Sequence, residues 1–130
     1  MTGFLLDTHI WLWHLRGVAG LPPTLRSLIE APRDPLWLSP ISIWEVALLQ
    51  RRGRIDLRVP VRRWVERSMA ELPLLEAPVN HEVAIVSEEI ELPHGDPADR
   101  FIAATALVYD LTLLTADRNM TAHGLRTRST

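Results

Sequence analysis

The sequence contains no lysine and no cysteine. Without lysine there is no P-loop amine to grip nucleotide phosphates, no Schiff-base amine, and no ammonium to pair with a phosphoryl-accepting aspartate. Without cysteine there are no disulfides, no thiol nucleophile and no cysteine-based zinc site, a composition compatible with a reducing cytoplasm. Apolar runs are short, and none approaches the roughly eighteen residues of a membrane span. Met1 to Leu6 carries no basic residue before the acid at Asp7, so it does not read as a signal peptide. The expectation is a soluble, cytoplasmic protein with no membrane segment.

All 14 basic residues are arginine, and they are segregated. Arg51, Arg52, Arg54, Arg58, Arg62, Arg63 and Arg67 lie in one stretch, whereas Arg100 is the single arginine between Glu71 and Asp117, among ten acids. A formal net charge of −2 therefore conceals a basic face beside an acidic one, which can attract polyanions locally or simply be solvated. The 130 residues, 47% hydrophobic, suffice for a single domain over 1–130 that builds its core without metal or disulfide.

Phe4-Leu5-Leu6 reads as a buried strand ending at Asp7, where a turn leads into a helix. Leu36–Ser39 and Leu111–Thr115 are further strands, and Leu74-Leu75 is a short one. Helices are expected over Thr24–Glu30, from Ile41 or Ser42 to Gln50, and from Pro60 to Ala70. Asn80 caps another that stops before Pro93. Asp96-Pro97-Ala98-Asp99 is a strong helix start, with Asp96 as N-cap and Asp99 in the first turn of a helix reaching Tyr109. Short apolar strands separated by helices indicate an α/β domain with a mostly parallel sheet.

In such sheets, active sites collect beyond the C-terminal ends of the strands. Asp7 and Asp117 each follow a strand, Asp99 opens a helix, and Glu45 lies in the helix after Leu36–Ser39. Four segments thus bring one carboxylate each toward one rim. Crowded carboxylates raise one another's pKa unless a cation joins them. With no lysine and no paired histidine ligands, the fitting partner is a hard divalent ion, Mg²⁺ or Mn²⁺. Such an ion serves phosphodiester cleavage without a protein nucleophile.

Four segments carry a resemblance: Leu6-Asp7-Thr8-His9 leading into Trp11-Leu12-Trp13; Ser39 to Ala47, including Trp44-Glu45; His94-Gly95-Asp96-Pro97-Ala98-Asp99-Arg100 running on to Ala106; and Leu113-Leu114-Thr115-Ala116-Asp117. In this order and separation the chain resembles PIN-domain proteins, and among them the VapC-type ribonuclease toxins of type II toxin–antitoxin pairs. The resemblance implies a three-layer α/β/α sandwich, RNA as substrate, homodimerisation, and inhibition by a separately encoded antitoxin. It implies that Asp7, Glu45, Asp99 and Asp117 are the catalytic, metal-binding acids, with Thr115 supporting the last and Thr8 accompanying the first. Cleavage would leave a 5′-phosphate and a 3′-hydroxyl. The end departs from the family: Gly124 to Thr130 is short and polar where a more apolar closing strand is common.

Other roles compete for some of these residues. Asp96 is an N-cap first and a ligand second. Arg100 contacts substrate phosphate or forms a salt bridge with a nearby acid. Glu45, beside Trp44 on an expected buried face, is costly to bury without a partner. None of the five histidines shows ligand spacing, and none is assigned to chemistry. Trp11 and Trp13 point roughly 200° apart on a helix, so both cannot face one core. A non-catalytic PIN-like module that binds RNA or protein is the alternative reading. A small-molecule phosphohydrolase ranks last, because the second acid of its usual pair is missing after Asp7 and lysine is absent.

Overall fold

A computed structural model of the protein describes residues 2–17, 20–93 and 95–129. Met1, His94 and Thr130, which belong to segments named above, lie outside the described residues. The elements run β1 (Phe4–Leu6), α1 (Thr8–Arg16), α2 (Pro23–Glu30), β2 (Leu36–Leu38), α3 (Pro40–Arg51) and α4 (Val61–Glu71). They continue with β3 (Leu75–Glu76), α5 (His81–Glu89), α6 (Pro97–Tyr109), β4 (Thr112–Leu114) and β5 (Thr127–Arg128). The strands form one sheet in the order β3-β2-β1-β4-β5, and every pairing is parallel.

Alternation along the strands sorts the helices into two layers. Leu6 and Leu114 point into a core built with Ile10, Trp11, Leu25, Ile29 and Val46, against which Trp64 and Met69 pack. Leu5 and Leu113 point the other way, onto Ile102, Ala103 and Ala106 of α6 and onto Met120. The expected three-layer α/β/α sandwich results, with α1, α2 and α4 on one face and α6 on the other. Alanines at 103 and 106 let α6 sit close to the sheet, and each fully buried leucine beneath adds about 1.5–3 kcal/mol.

Boundaries shift by a residue or two from the sequence expectations. Ser39 leaves β2 because its hydroxyl caps α3, accepting from Ile41 N at 3.1 Å, with Pro40 at the first helical position. Asn80 and Asp96 cap α5 and α6 as the sequence requires. The polar tail does form a strand: two exposed residues of β5 pair with Leu113 and Leu114 through backbone bonds that need no apolar side chain. Gly3 holds φ +123°, and a Cβ there would stand 2.1 Å from Pro35 O, so glycine is required where β1 enters the sheet.

Two tryptophans are placed differently from the expectation for them. Trp44 is 52% exposed, because it stands on the outward side of α3, about 100° around the helix from Glu45. Trp11 is fully buried and meets Trp64 edge-on at 5.1 Å, while Trp13 packs at the border of the same core and faces His9 at 6.1 Å.

Candidate active site

Asp7 stands where β1 becomes α1. Its backbone N–H donates to Leu114 O at 2.9 Å, extending the sheet, and its carbonyl accepts from Trp11 N at 3.1 Å, starting the helix. The side chain is 4% exposed. Oδ1 accepts from Thr8 N at 2.8 Å, so Asp7 is the N-cap of α1, and Oδ2 accepts from the Thr115 hydroxyl at 2.7 Å. Both carboxylate oxygens are thus fixed by groups from opposite ends of the sequence.

Thr8 joins the first acid to the second. Its hydroxyl lies 2.5 Å from Glu45 Oε1 and 2.9 Å from Ser42 Oγ. A hydroxyl has one proton, and a carboxylate is the stronger acceptor, so Thr8 donates to Glu45 and Ser42 donates to Thr8. Ser42 and Glu45 are three residues apart on α3, one face of the helix. Thr8 therefore supports Glu45 through its side chain while its backbone holds Asp7.

Thr115 is the second hub. Besides donating to Asp7, its oxygen accepts from Asp117 N at 3.0 Å, so one buried hydroxyl positions two of the acids. Asp117 is half-buried in the turn after β4, where its Oδ1 accepts from Asn119 N at 2.8 Å. Asp99 is half-buried in the first turn of α6, a helix that packs against α3. Asp96 is exposed and caps that helix, accepting from Ala98 N at 2.9 Å. Arg100 turns elsewhere: its guanidinium donates to Glu88 O at 3.1 Å and Ile90 O at 2.8 Å, tying α6 to the end of α5. Its partners among the described residues are thus backbone carbonyls, not the carboxylate of a nearby acid.

The electrostatics follow from this crowding. Burial pushes the Asp7 carboxyl above its usual range; bonds from Thr115 and Thr8 and the His9 charge pull it back, and Asp117 pushes it further up. Burial likewise raises Glu45, opposed by the Thr8 hydroxyl and His9 and reinforced by Asp7 and Asp96. Asp117 therefore lies near enough to act on Asp7, and Asp7 and Asp96 near enough to act on Glu45. Ser42 and His9 are the members that sequence reasoning missed. Ser42 was findable as the residue three before Glu45; His9 has no spacing signal and is recognised only by its proximity to both acids. Among the described residues, no group of three or more His, Asp or Glu side chains forms a preformed metal cage.

Comparison with known proteins places the fold. The family model for the PIN domain matches residues 4–124. The chain is 32% identical over 126 residues to Ribonuclease VapC22 of Mycobacterium tuberculosis, covering 95% of this chain and 93% of that protein. Among solved structures it is similar to VapBC2 from Rickettsia felis bound to a promoter DNA fragment, with a TM-score of 0.69 at 16% identity over 97% of both chains. It is also similar to a toxin–antitoxin complex from Klebsiella pneumoniae, with a TM-score of 0.65 at 20% identity over 96% of this chain and 95% of that one. The family model spans most of the chain and the 32% identity extends over 126 residues: the chain belongs to the PIN domain family.

Proposed function

We propose that this chain is an endoribonuclease that hydrolyses RNA phosphodiester bonds with Mg²⁺ or Mn²⁺, and that it acts as a toxin neutralised by a cognate antitoxin. One observation carries the reading: Asp7, buried at the C-terminal rim of the sheet, is joined to Glu45 through Thr8 and burdened by the charge of Asp117. A buried carboxylate among other carboxylates favours a cation. Mg²⁺ is commonly held by one or two carboxylates with waters and substrate phosphate, so an all-oxygen acidic rim without a closed cage fits it.

Asp7 and Glu45 would hold the ion, with Asp99 and Asp117 completing the acidic rim. When bound, the cation supplies a Lewis acid for phosphoryl oxygens and lowers the pKa of water. The chain's own residues orient the donors. Thr8 N and Thr115 Oγ1 lock both oxygens of Asp7, and the Thr8 hydroxyl, itself oriented by Ser42, locks Oε1 of Glu45. Hydrolysis forms a P–O bond from water and breaks the P–O3′ bond, leaving a 5′-phosphate and a 3′-hydroxyl.

The identity with a protein named as a ribonuclease supports the activity, and similarity to toxin–antitoxin structures supports the antitoxin partner. We also propose a single domain over residues 1–130, a cytoplasmic location and a homodimer. Exposed Trp44, Leu75 and Ile85 offer apolar surface to a second copy. The test is incubation of total cellular RNA with purified, antitoxin-free protein and Mg²⁺ or Mn²⁺. Discrete fragments that vanish with chelator and with Asp7→Asn are expected. Intact RNA from folded protein would instead favour a non-catalytic module.

A further inference from the structure

Residues 51–67 carry seven arginines against two acids, Asp56 and Glu66, a net +5 in a chain whose formal net charge is −2. The remaining residues therefore carry −7. All seven arginines are exposed, and among the described residues none has an acidic partner within salt-bridge distance. We infer that the end of α3, the following loop and α4 form a basic ledge that grips the phosphate backbone of an RNA beyond the bond being cut. This inference rests on the ribonuclease reading for its ligand.

Three features favour a built surface over a merely solvated one. First, the ledge is anchored. Leu57 N donates to Gln50 Oε1 at 2.9 Å, Leu57 is buried, and Trp64 of α4 meets Trp11 of α1 at 5.1 Å. Second, stabilising the C-terminus of α3 explains only Arg51 and Arg52, since Arg54, Arg58, Arg62 and Arg63 lie beyond that helix end. Third, the ledge shares an element with the site. Glu45 and Arg52 are seven residues apart along α3, roughly 10 Å along the axis, within reach of one bound strand. The acidic rim repels a polyanion until a cation is present, so attraction must come from elsewhere on the surface. Guanidinium groups suit phosphate because they donate two parallel hydrogen bonds to it.

The test uses Asp7→Asn protein, so that bound RNA is not cut, and a labelled mixed-sequence RNA hairpin as probe. Affinity is read by fluorescence anisotropy between about 50 and 200 mM salt. R52Q/R54Q/R63Q on that background is compared with R16Q/R33Q/R128Q, which removes the same charge elsewhere on the surface. Three lost phosphate contacts should flatten the log K against log salt slope by about 2–3 and weaken binding at least tenfold at the lower salt. The control should keep the parental slope. Unchanged slope and affinity in R52Q/R54Q/R63Q, or an equal loss in the control, would overturn the inference. Retained RNA binding with lost binding of labelled poly-glutamate would overturn it in favour of an acidic protein partner. Binding is scored apart from cleavage, so wild-type protein that cuts no RNA would sink the nuclease reading without deciding this one. Conversely, a cleaving enzyme with an unaltered slope would sink the ledge alone.

Discussion

Replacing Thr115 by valine removes one hydroxyl from a nearly isosteric, fully enclosed side chain, and the structure states what depends on that hydroxyl. It donates to Asp7 Oδ2 at 2.7 Å and accepts from Asp117 N at 3.0 Å. A hydrogen bond to a charged group contributes about 1.5–3 kcal/mol, and leaving the Asp117 amide without its acceptor costs about 1 kcal/mol more. The larger part depends on pH, because Thr115 favours the ionised form of Asp7. Burial already holds the folded pKa of Asp7 above its unfolded value. In cation-free protein the Asp7 contribution is therefore most favourable below the unfolded pKa and is lost as pH rises through the folded one. Thr115→Val raises the folded pKa further, so its cost should be greatest at neutral pH and shrink toward pH 4. Urea denaturation should show a loss of about 2.5–4 kcal/mol at neutral pH and about 1 kcal/mol in acid. RNA cleavage should fall about 10–100-fold, as for groups that orient metal ligands, and Thr115→Ser should restore most of it. A stability loss independent of pH, or Thr115→Val cleaving at the wild-type rate, would refute the argument that this hydroxyl serves Asp7.

Asp7→Asn keeps an N-cap acceptor but no charge, so without cation it should match or exceed wild-type stability at neutral pH. Saturating Mg²⁺ should raise the wild-type melting temperature, with about 2.7 kcal/mol expected at a hundredfold excess over Kd, and should leave Asp7→Asn unmoved. Trp64→Ala removes the edge-on partner of Trp11 and should cost about 3 kcal/mol in urea denaturation, loosening α4 from the core. Gly3→Ala forces a Cβ against Pro35 O in a left-handed conformation and should destabilise the fold by at least about 1–3 kcal/mol, read by thermal melting.

Local features of the chain proved legible because their physics is local. Asp96-Pro97 marked the start of α6 to the residue, since an N-cap followed by proline allows little else. Short apolar triplets marked β1, β2 and β4, since a buried parallel strand needs apolar side chains on both faces. The hidden parts are those made by distant segments meeting. Thr8 and Glu45 are 37 residues apart, and Thr115 and Asp7 are 108, so no spacing rule connects them. Trp44 reads as core by composition, yet lies outward because Ser42, Glu45 and Val46 occupy the inner side of α3. β5 was unreadable because backbone pairing alone makes it, on side chains that remain in water.

We propose that carboxylates and a divalent cation, with no protein nucleophile, hydrolyse RNA at this rim. The chemistry of the cut ends decides this, read by ligation-based mapping of fragments made with Mg²⁺ or Mn²⁺. Fragments bearing a 5′-phosphate and a 3′-hydroxyl, absent with chelator and with Asp7→Asn, are the expected result. A 2′,3′-cyclic phosphate with a 5′-hydroxyl, formed with chelator present, would mean attack by the RNA's own 2′-hydroxyl and would rule out metal-dependent hydrolysis here.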